Sequence, residues 1–145
     1  MVFTGGPIIT LDAKGRISVP VRTRERLQGE FGGQLTVTKN RAGALSLFPR
    51  PVWERFETQL LGLDMAADDL KRLYLGSATP LELDSAGRLL IPPELRAWAG
   101  LERDVVFMGM GATIELWDNA RALERETIAR SNGSLDEHMK GLVIR

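Results

Sequence analysis

Near the start of this chain an aspartate, a lysine, a glycine and an arginine fall together as Asp12-Ala13-Lys14-Gly15-Arg16, and the pattern returns as Asp84-Ser85-Ala86-Gly87-Arg88. A guanidinium is a planar fork of donors, suited to bidentate pairing with an oxyanion or a base edge when its backbone is held rigid. The flanks repeat in the same register: Leu11 and Leu83, Pro20 and Pro92, and Arg24 and Arg96 share the offset of 72 residues. Such an internal repeat defines the folding unit, here a short hairpin with an arginine at its turn. Two readings are open for each copy. Asp and Arg could form an ion pair that locks the turn, or the arginine could reach a partner.

The two copies differ in what surrounds the arginine. Lys14, Arg22, Arg24 and Arg26 lie near Arg16 in the chain, whereas the second copy has Ala86 in place of Lys14, with Glu82 and Glu94 where the first has Thr10 and Arg22. Residues 1–51 carry eight Lys/Arg against three Asp/Glu, and residues 52–145 carry eleven against sixteen, so a net charge of zero hides a basic first third. That asymmetry favours a polyanion partner for the first hairpin and a structural role for the second. A two-stranded ribbon can enter the major groove of DNA, where arginine pairs bidentately with guanine O6 and N7. Lys14 and Arg22 suit phosphate contacts, which set register without reading sequence. The default for Arg24 and Arg26 is pairing with Glu25 and Glu30 on a helix surface.

The elements that must carry these residues are short. Pro7–Leu11 and Ile17–Val19 are β-rich runs around the Asp12–Gly15 loop, a hairpin pattern in which Asp12 accepts turn N–H groups and Gly15 supplies a positive φ. Pro20 and Pro92 end the second strands and open helices over Val21–Gln28 and Pro93–Ala99. Strands are expected at Gln34–Thr38 and Ala44–Phe48, and again at Asp104–Met108 and Thr113–Trp117. A unit of about 40 residues has too little core to stand alone, so the two copies are expected to interleave around a pseudo-twofold β core. Helices fill the rest: Pro51–Leu61, a second capped by Asp68 or Asp69 with Leu70, Leu73 and Tyr74, and a last one capped by Asp118 and running to about Ile128. Trp53, Trp98 and Trp117 read as packing anchors. From Ser131 the chain reads as a loose polar tail, whose apolar end Leu142-Val143-Ile144 would dock on a neighbouring subunit.

Composition excludes several classes. There are no cysteines, so no disulfide framework or thiolate metal site forms, and the lone histidine, His138, cannot form a His-based catalytic pair. Gly109-Met110-Gly111 reads as a turn and not as a phosphate loop. Neither an enzyme nor a cofactor or small-molecule substrate is expected. No apolar run approaches the ~20 residues of a membrane span and the start lacks the character of a signal peptide, so a cytoplasmic protein is expected.

The ordered set of motifs resembles the MraZ family from about Phe3 to Glu124: the two Asp-x-x-Gly-Arg…Pro hairpins, Gly76-Ser77-Ala78 ahead of the second, and Glu115-Leu116-Trp117-Asp118 at a strand-to-helix boundary. The resemblance implies an α+β fold of two AbrB-like swapped-hairpin modules in one chain, at 3–50 and 77–124, joined by helices at 51–76 and followed by a helix end and tail at 125–145. It further implies a nucleoid-associated transcriptional regulator of the bacterial division and cell wall gene cluster, binding G-rich direct repeats ahead of its own operon as a ring. Carried onto this chain, the DNA-binding set is Asp12, Lys14, Gly15, Arg16 and Arg22, with Arg88 in the second copy. An AbrB-type antitoxin or transition-state regulator and a protein-binding ring scaffold are the alternatives.

Overall fold

The computed structural model describes residues 2–145. In chain order the elements are β1 (Ile8–Thr10), β2 (Arg16–Ser18), α1 (Val21–Phe31), β3 (Gln34–Lys39), β4 (Leu45–Pro49), α2 (Arg50–Leu61), a 3-10 turn (Met65–Ala67) and α3 (Asp68–Ser77). The second repeat follows as β5 (Thr79–Glu82), β6 (Arg88–Leu90), α4 (Pro93–Ala99), β7 (Asp104–Gly109), β8 (Ile114–Asp118), α5 (Asn119–Ser131) and α6 (Ser134–Met139). The fold is α+β, with both repeats sharing one β core.

The repeats interleave strand by strand. A six-stranded antiparallel sheet runs β1-β7-β8-β4-β3-β5, and β2 pairs with β6 in a separate two-stranded ribbon. Thus β1 of the first repeat lies on β7 of the second, and β5 of the second lies on β3 of the first. The register is symmetric: Ile17 faces its own counterpart Leu89 in the ribbon, and Ser46 faces Glu115 where the halves of the sheet meet. The hairpins therefore exist only at their tips. Asp12 N donates to Arg16 O at 2.9 Å and Leu11 bridges Ile17, after which the two arms part to opposite partners. An isolated two-stranded hairpin of such short strands would be marginal in water. Exchange gives each one a partner in the shared core.

The core follows from the alternation in β2 and β6. Ile17, Val19, Leu89 and Ile91 are buried with Leu35, Val37, Leu47, Val105, Phe107 and Leu116 in one cluster. Each such side chain contributes about 1.5–3 kcal/mol of burial free energy. Pro20, Pro49 and Pro92 stand at the N-caps of α1, α2 and α4, where a missing N–H costs nothing. Helix α1 runs to Phe31, beyond the expected Gln28, and ends where Gly32 takes a φ of +62° and donates to Gln28 O. Trp53 packs edge-on against Phe48, Trp117 is buried, and Trp98 packs on the main cluster with Lys39 Nζ 5.1 Å from its ring.

Two expectations need correction. Neither Asp68 nor Asp69 caps α3: its N-cap is Ala67, and Asp64 instead caps the preceding 3-10 turn by accepting from Ala66 N at 3.0 Å. That turn runs straight into the helix, which carries both aspartates into its first turn. Nor is the chain structureless from Ser131. Asn132 accepts from Ser134 N at 2.9 Å and Gly133 adopts φ +78°, which reverses the chain into α6 against α5. Asp118 does cap α5, accepting from Arg121 N at 3.2 Å.

Candidate nucleic-acid interface

The two Asp–Arg turns have the same internal geometry. Asp12 Oδ1 accepts from the backbone N–H of Lys14 at 2.9 Å and of Arg16 at 2.8 Å, while Oδ2 accepts from Arg16 Nε at 2.8 Å. Asp84 repeats this with Ala86 N at 2.9 Å, Arg88 N at 2.9 Å and Arg88 Nε at 3.0 Å. The backbone N–H of the arginine, more than any other group, holds each aspartate below the ordinary carboxylate value of 3.8, with the arginine side chain and the second turn N–H adding to it. Because the carboxylate engages Nε, it leaves the Nη groups of each guanidinium for other partners. The aspartate is therefore both a lock for the turn and an aiming device for the arginine.

The ribbon places both guanidiniums on one surface. Pairing of Arg16 with Leu90 and of Ser18 with Arg88 puts these four on one face, and Ile17 and Leu89 on the buried other face. Arg16 and Arg88 are diagonal neighbours, a relation that sets Cβ atoms about 7–8 Å apart. Both side chains are about one-third exposed, at 28% and 34%.

Strand exchange also exchanges the helices that support the turns. The chain following the first hairpin does not stand behind the first turn. Arg96, on α4 of the second repeat, lies against Gly15, where a methyl carbon would sit 2.7 Å from its Nε. Arg96 Nε donates to Ile91 O at 3.0 Å, and Ile91 N donates to Gly15 O at 2.9 Å. In mirror fashion Arg24, on α1 of the first repeat, lies against Gly87 and donates to Ala86 O at 3.2 Å. Gly15 and Gly87 are thus required twice, for φ values of +86° and +75° and for the guanidinium stacked on them.

This arrangement rearranges the expected basic flank. Asp12, Lys14, Gly15 and Arg16 come together, but Arg24 supports the other turn. Arg26 stacks 4.3 Å from the Phe3 ring centroid and donates to Val2 O at 2.7 Å. Arg22 is exposed on α1 and lines a groove of about 560 Å³ with Phe3, Thr4 and Phe107. Sequence reasoning noted Arg96 only as the recurrence of Arg24 and gave it no part in the site. Its signal was the recurrence with Arg24, whose meaning depends on the exchange. The first turn thus carries Lys14 and Arg16 with Arg96 against its glycine, and the second carries Arg88 with Arg24 against its glycine. Within the turns themselves the cationic difference is Lys14, opposite Ala86.

A family model described as "MraZ protein, putative antitoxin-like" matches this chain twice in succession, over residues 2–73 and 74–140. The chain belongs to the MraZ family. Its relatives include proteins named transcriptional regulator MraZ from Ralstonia pickettii, at 53% identity, and Ralstonia nicotianae, at 52%, each over 93% of this chain and 95% of the relative. A third, from Burkholderia vietnamiensis, is 50% identical over the same shares. The two MraZ matches divide within α3, between residues 73 and 74, so each takes one Asp–Arg turn, and the swapped ribbon joins one half to the other.

Proposed function

We propose that this MraZ protein is a transcriptional regulator that binds double-stranded DNA in a sequence-specific way through the β2–β6 ribbon. The observation that carries the reading is the shared face of Arg16 and Arg88, each held at Nε by its aspartate, which leaves the Nη pair for a partner. A two-stranded ribbon of this width fits the major groove, and an Nη pair matches guanine O6 and N7, worth roughly 1–3 kcal/mol of discrimination per contact. Arg16 is the principal reader because Lys14 beside it adds a phosphate contact. Arg88 is the lesser one.

One ribbon touches few bases. Specificity then comes from a ring of subunits engaging short G-rich direct repeats, where each contact after the first forms at high effective concentration. The targets in this reading are the promoter of its own operon and the division and cell wall gene cluster, which the protein represses from the cytoplasm in association with the nucleoid. The names of the relatives support the regulatory part of this reading.

The test is a footprint on the DNA upstream of its own gene. Arg16→Ala should abolish protection while leaving the oligomer mass unchanged, and Arg88→Ala should weaken it less. Full protection by Arg16→Ala would refute the ribbon as reader. Retention of any DNA equally well would instead favour a scaffold.

A further inference from the structure

The outer face of the β2–β6 ribbon carries Arg16 opposite Leu90 and Ser18 opposite Arg88, so a leucine shares the surface with both guanidiniums. Two bonds fix the phase of this ladder: Val19 N donates to Gly87 O at 3.0 Å and Ile91 N to Gly15 O at 2.9 Å. Hydrogen-bonded and non-hydrogen-bonded pairs alternate along an antiparallel ladder, so both outer pairs are of the second kind, with Cα atoms about 4.5 Å apart and side chains close. Leu90 is therefore flanked by Arg16 across the ribbon and by Arg88 along its own strand. It is 57% exposed.

The fold does not ask for a leucine at this position. The pseudo-twofold exchanges Leu90 with Ser18, and the ribbon forms with a small hydroxyl residue there. Nor does Leu90 belong to the core, to which the ribbon contributes Ile17, Val19, Leu89 and Ile91. A single exposed leucine is ordinary on a protein surface. Its place between the two guanidiniums is what gives this one meaning.

The edges of the base pairs in the major groove present donors and acceptors, and the one apolar group among them is the thymine methyl. When Arg16 pairs with guanine O6 and N7, the leucine beside it faces an adjoining base. Cytosine and adenine present an amino group there, which a leucine would leave unpaired. Thymine presents a methyl group that a leucine can cover. Ser18, beside Arg88, imposes no such choice, because a hydroxyl both donates and accepts.

We propose that Leu90 determines specificity by packing on the methyl group of a thymine next to the guanine read by Arg16. The proposal rests on the ribbon reading of the proposed function and adds a second base to it. It also gives the ribbon a direction, since leucine stands opposite Arg16 and serine opposite Arg88.

The test removes that methyl group and nothing else. The promoter fragment upstream of the protein's own gene is made with thymidine and again with deoxyuridine throughout, and each duplex is titrated at fixed salt with the full-length wild type, Leu90→Ala and Arg16→Ala. Leu90 lies outside the core, so its truncation leaves the fold intact. Losing one buried methyl group should weaken wild-type binding to the deoxyuridine duplex about fourfold for each engaged ribbon. Leu90→Ala should bind the thymidine duplex more weakly and make no distinction between the two. Equal binding of both duplexes by the wild type would overturn the methyl contact. So would a deoxyuridine penalty that Leu90→Ala keeps in full, which would assign the penalty to DNA shape and leave Leu90 as a prop for the Arg16 stem. Arg16→Ala separates the two levels. Undiminished binding by this variant, or a wild type that binds neither duplex, would refute the ribbon itself as reader. Binding lost in Arg16→Ala, with no deoxyuridine penalty in the wild type, would reject the role of Leu90 alone.

Discussion

The support that each repeat lends the other's turn can be measured at Gly15 and Arg96. Gly15→Ala adds one methyl group with two separable costs. The first is local: Gly15 has a φ of +86°, and forcing an L-residue into such a conformation costs roughly 1–2 kcal/mol. The second comes from the other repeat. The new carbon would stand 2.7 Å from Arg96 Nε, so the guanidinium must leave and its 3.0 Å bond to Ile91 O is lost, at about 0.5–1.5 kcal/mol. Together they come to about 1.5–3.5 kcal/mol. With Arg96→Ala already present nothing stands in the way, and Gly15→Ala should cost only its backbone part.

A double-mutant cycle by urea denaturation at fixed protomer concentration reads the difference, with an expected coupling of about 1 kcal/mol between residues of opposite repeats. Costs that add to within ~0.3 kcal/mol would refute the stacking of Arg96 on Gly15. Binding offers a second reading of the same strut. Arg96→Ala should weaken promoter binding more than Arg24→Ala, although Arg24 is the closer to Arg16 in sequence. The reverse order would mean that the basic flank acts through the chain and not through the exchange.

Two further predictions concern charge. Lys14→Ala should flatten the dependence of log affinity on log salt by about 0.9 for each Lys14 in contact with phosphate, with base preference kept, and an unchanged slope would take Lys14 off the backbone. The Asp12 and Asp84 carboxyls are held below 3.8 in the folded chain, so their contribution is fully present above about pH 4 and is lost as pH falls through the lowered values. Asp12→Asn/Asp84→Asn should therefore be less stable than wild type at pH 7, with the two denaturation midpoints converging in acid. A gap that stays constant down to about pH 2 would contradict the lowered carboxyls.

Much of this fold was legible in the sequence because its signals are local and doubled. The Asp-x-x-Gly-Arg spacing fixes a turn by Asp side-chain acceptance and a glycine φ, and both turns form that way. The prolines before α1 and α4 mark their starts, and the alternation at Ile17/Val19 and Leu89/Ile91 marks the buried face. Duplication pointed further, to a shared pseudo-twofold core. Proximity of charges could not be read from the chain in the same way. Arg22, Arg24 and Arg26 follow the first hairpin by a few residues, and exchange sends Arg24 to the second turn. Asp64 was passed over as a cap because a 3-10 turn running into α3 has no periodicity to announce it. Helix α6 escaped notice because its six residues are too few to show an amphipathic pattern.

Joining two copies in one chain changes what symmetry permits. Two separate single-module chains paired in this way would have identical turns and identical outer faces, and their contact would be isologous and closed. Within one chain each position can drift from its counterpart while the core stays paired, because the ribbon needs only Ile17 against Leu89 and the sheet only Ser46 against Glu115. The drift is visible in the turns and on the outer sheet face. Lys14 stands opposite Ala86, and Thr36 and Thr38 under α3 have Val106 and Met108 beside α5 as their counterparts. The first inequality gives one turn more cationic charge than the other. The second makes the outer faces of the two halves unlike, which a symmetric pair cannot do. In the proposed assembly both are needed at once: a ring requires unlike faces, and a ring on direct repeats requires every subunit to present the same turn in the same orientation. Duplication supplied the core, and divergence between the copies supplied the polarity.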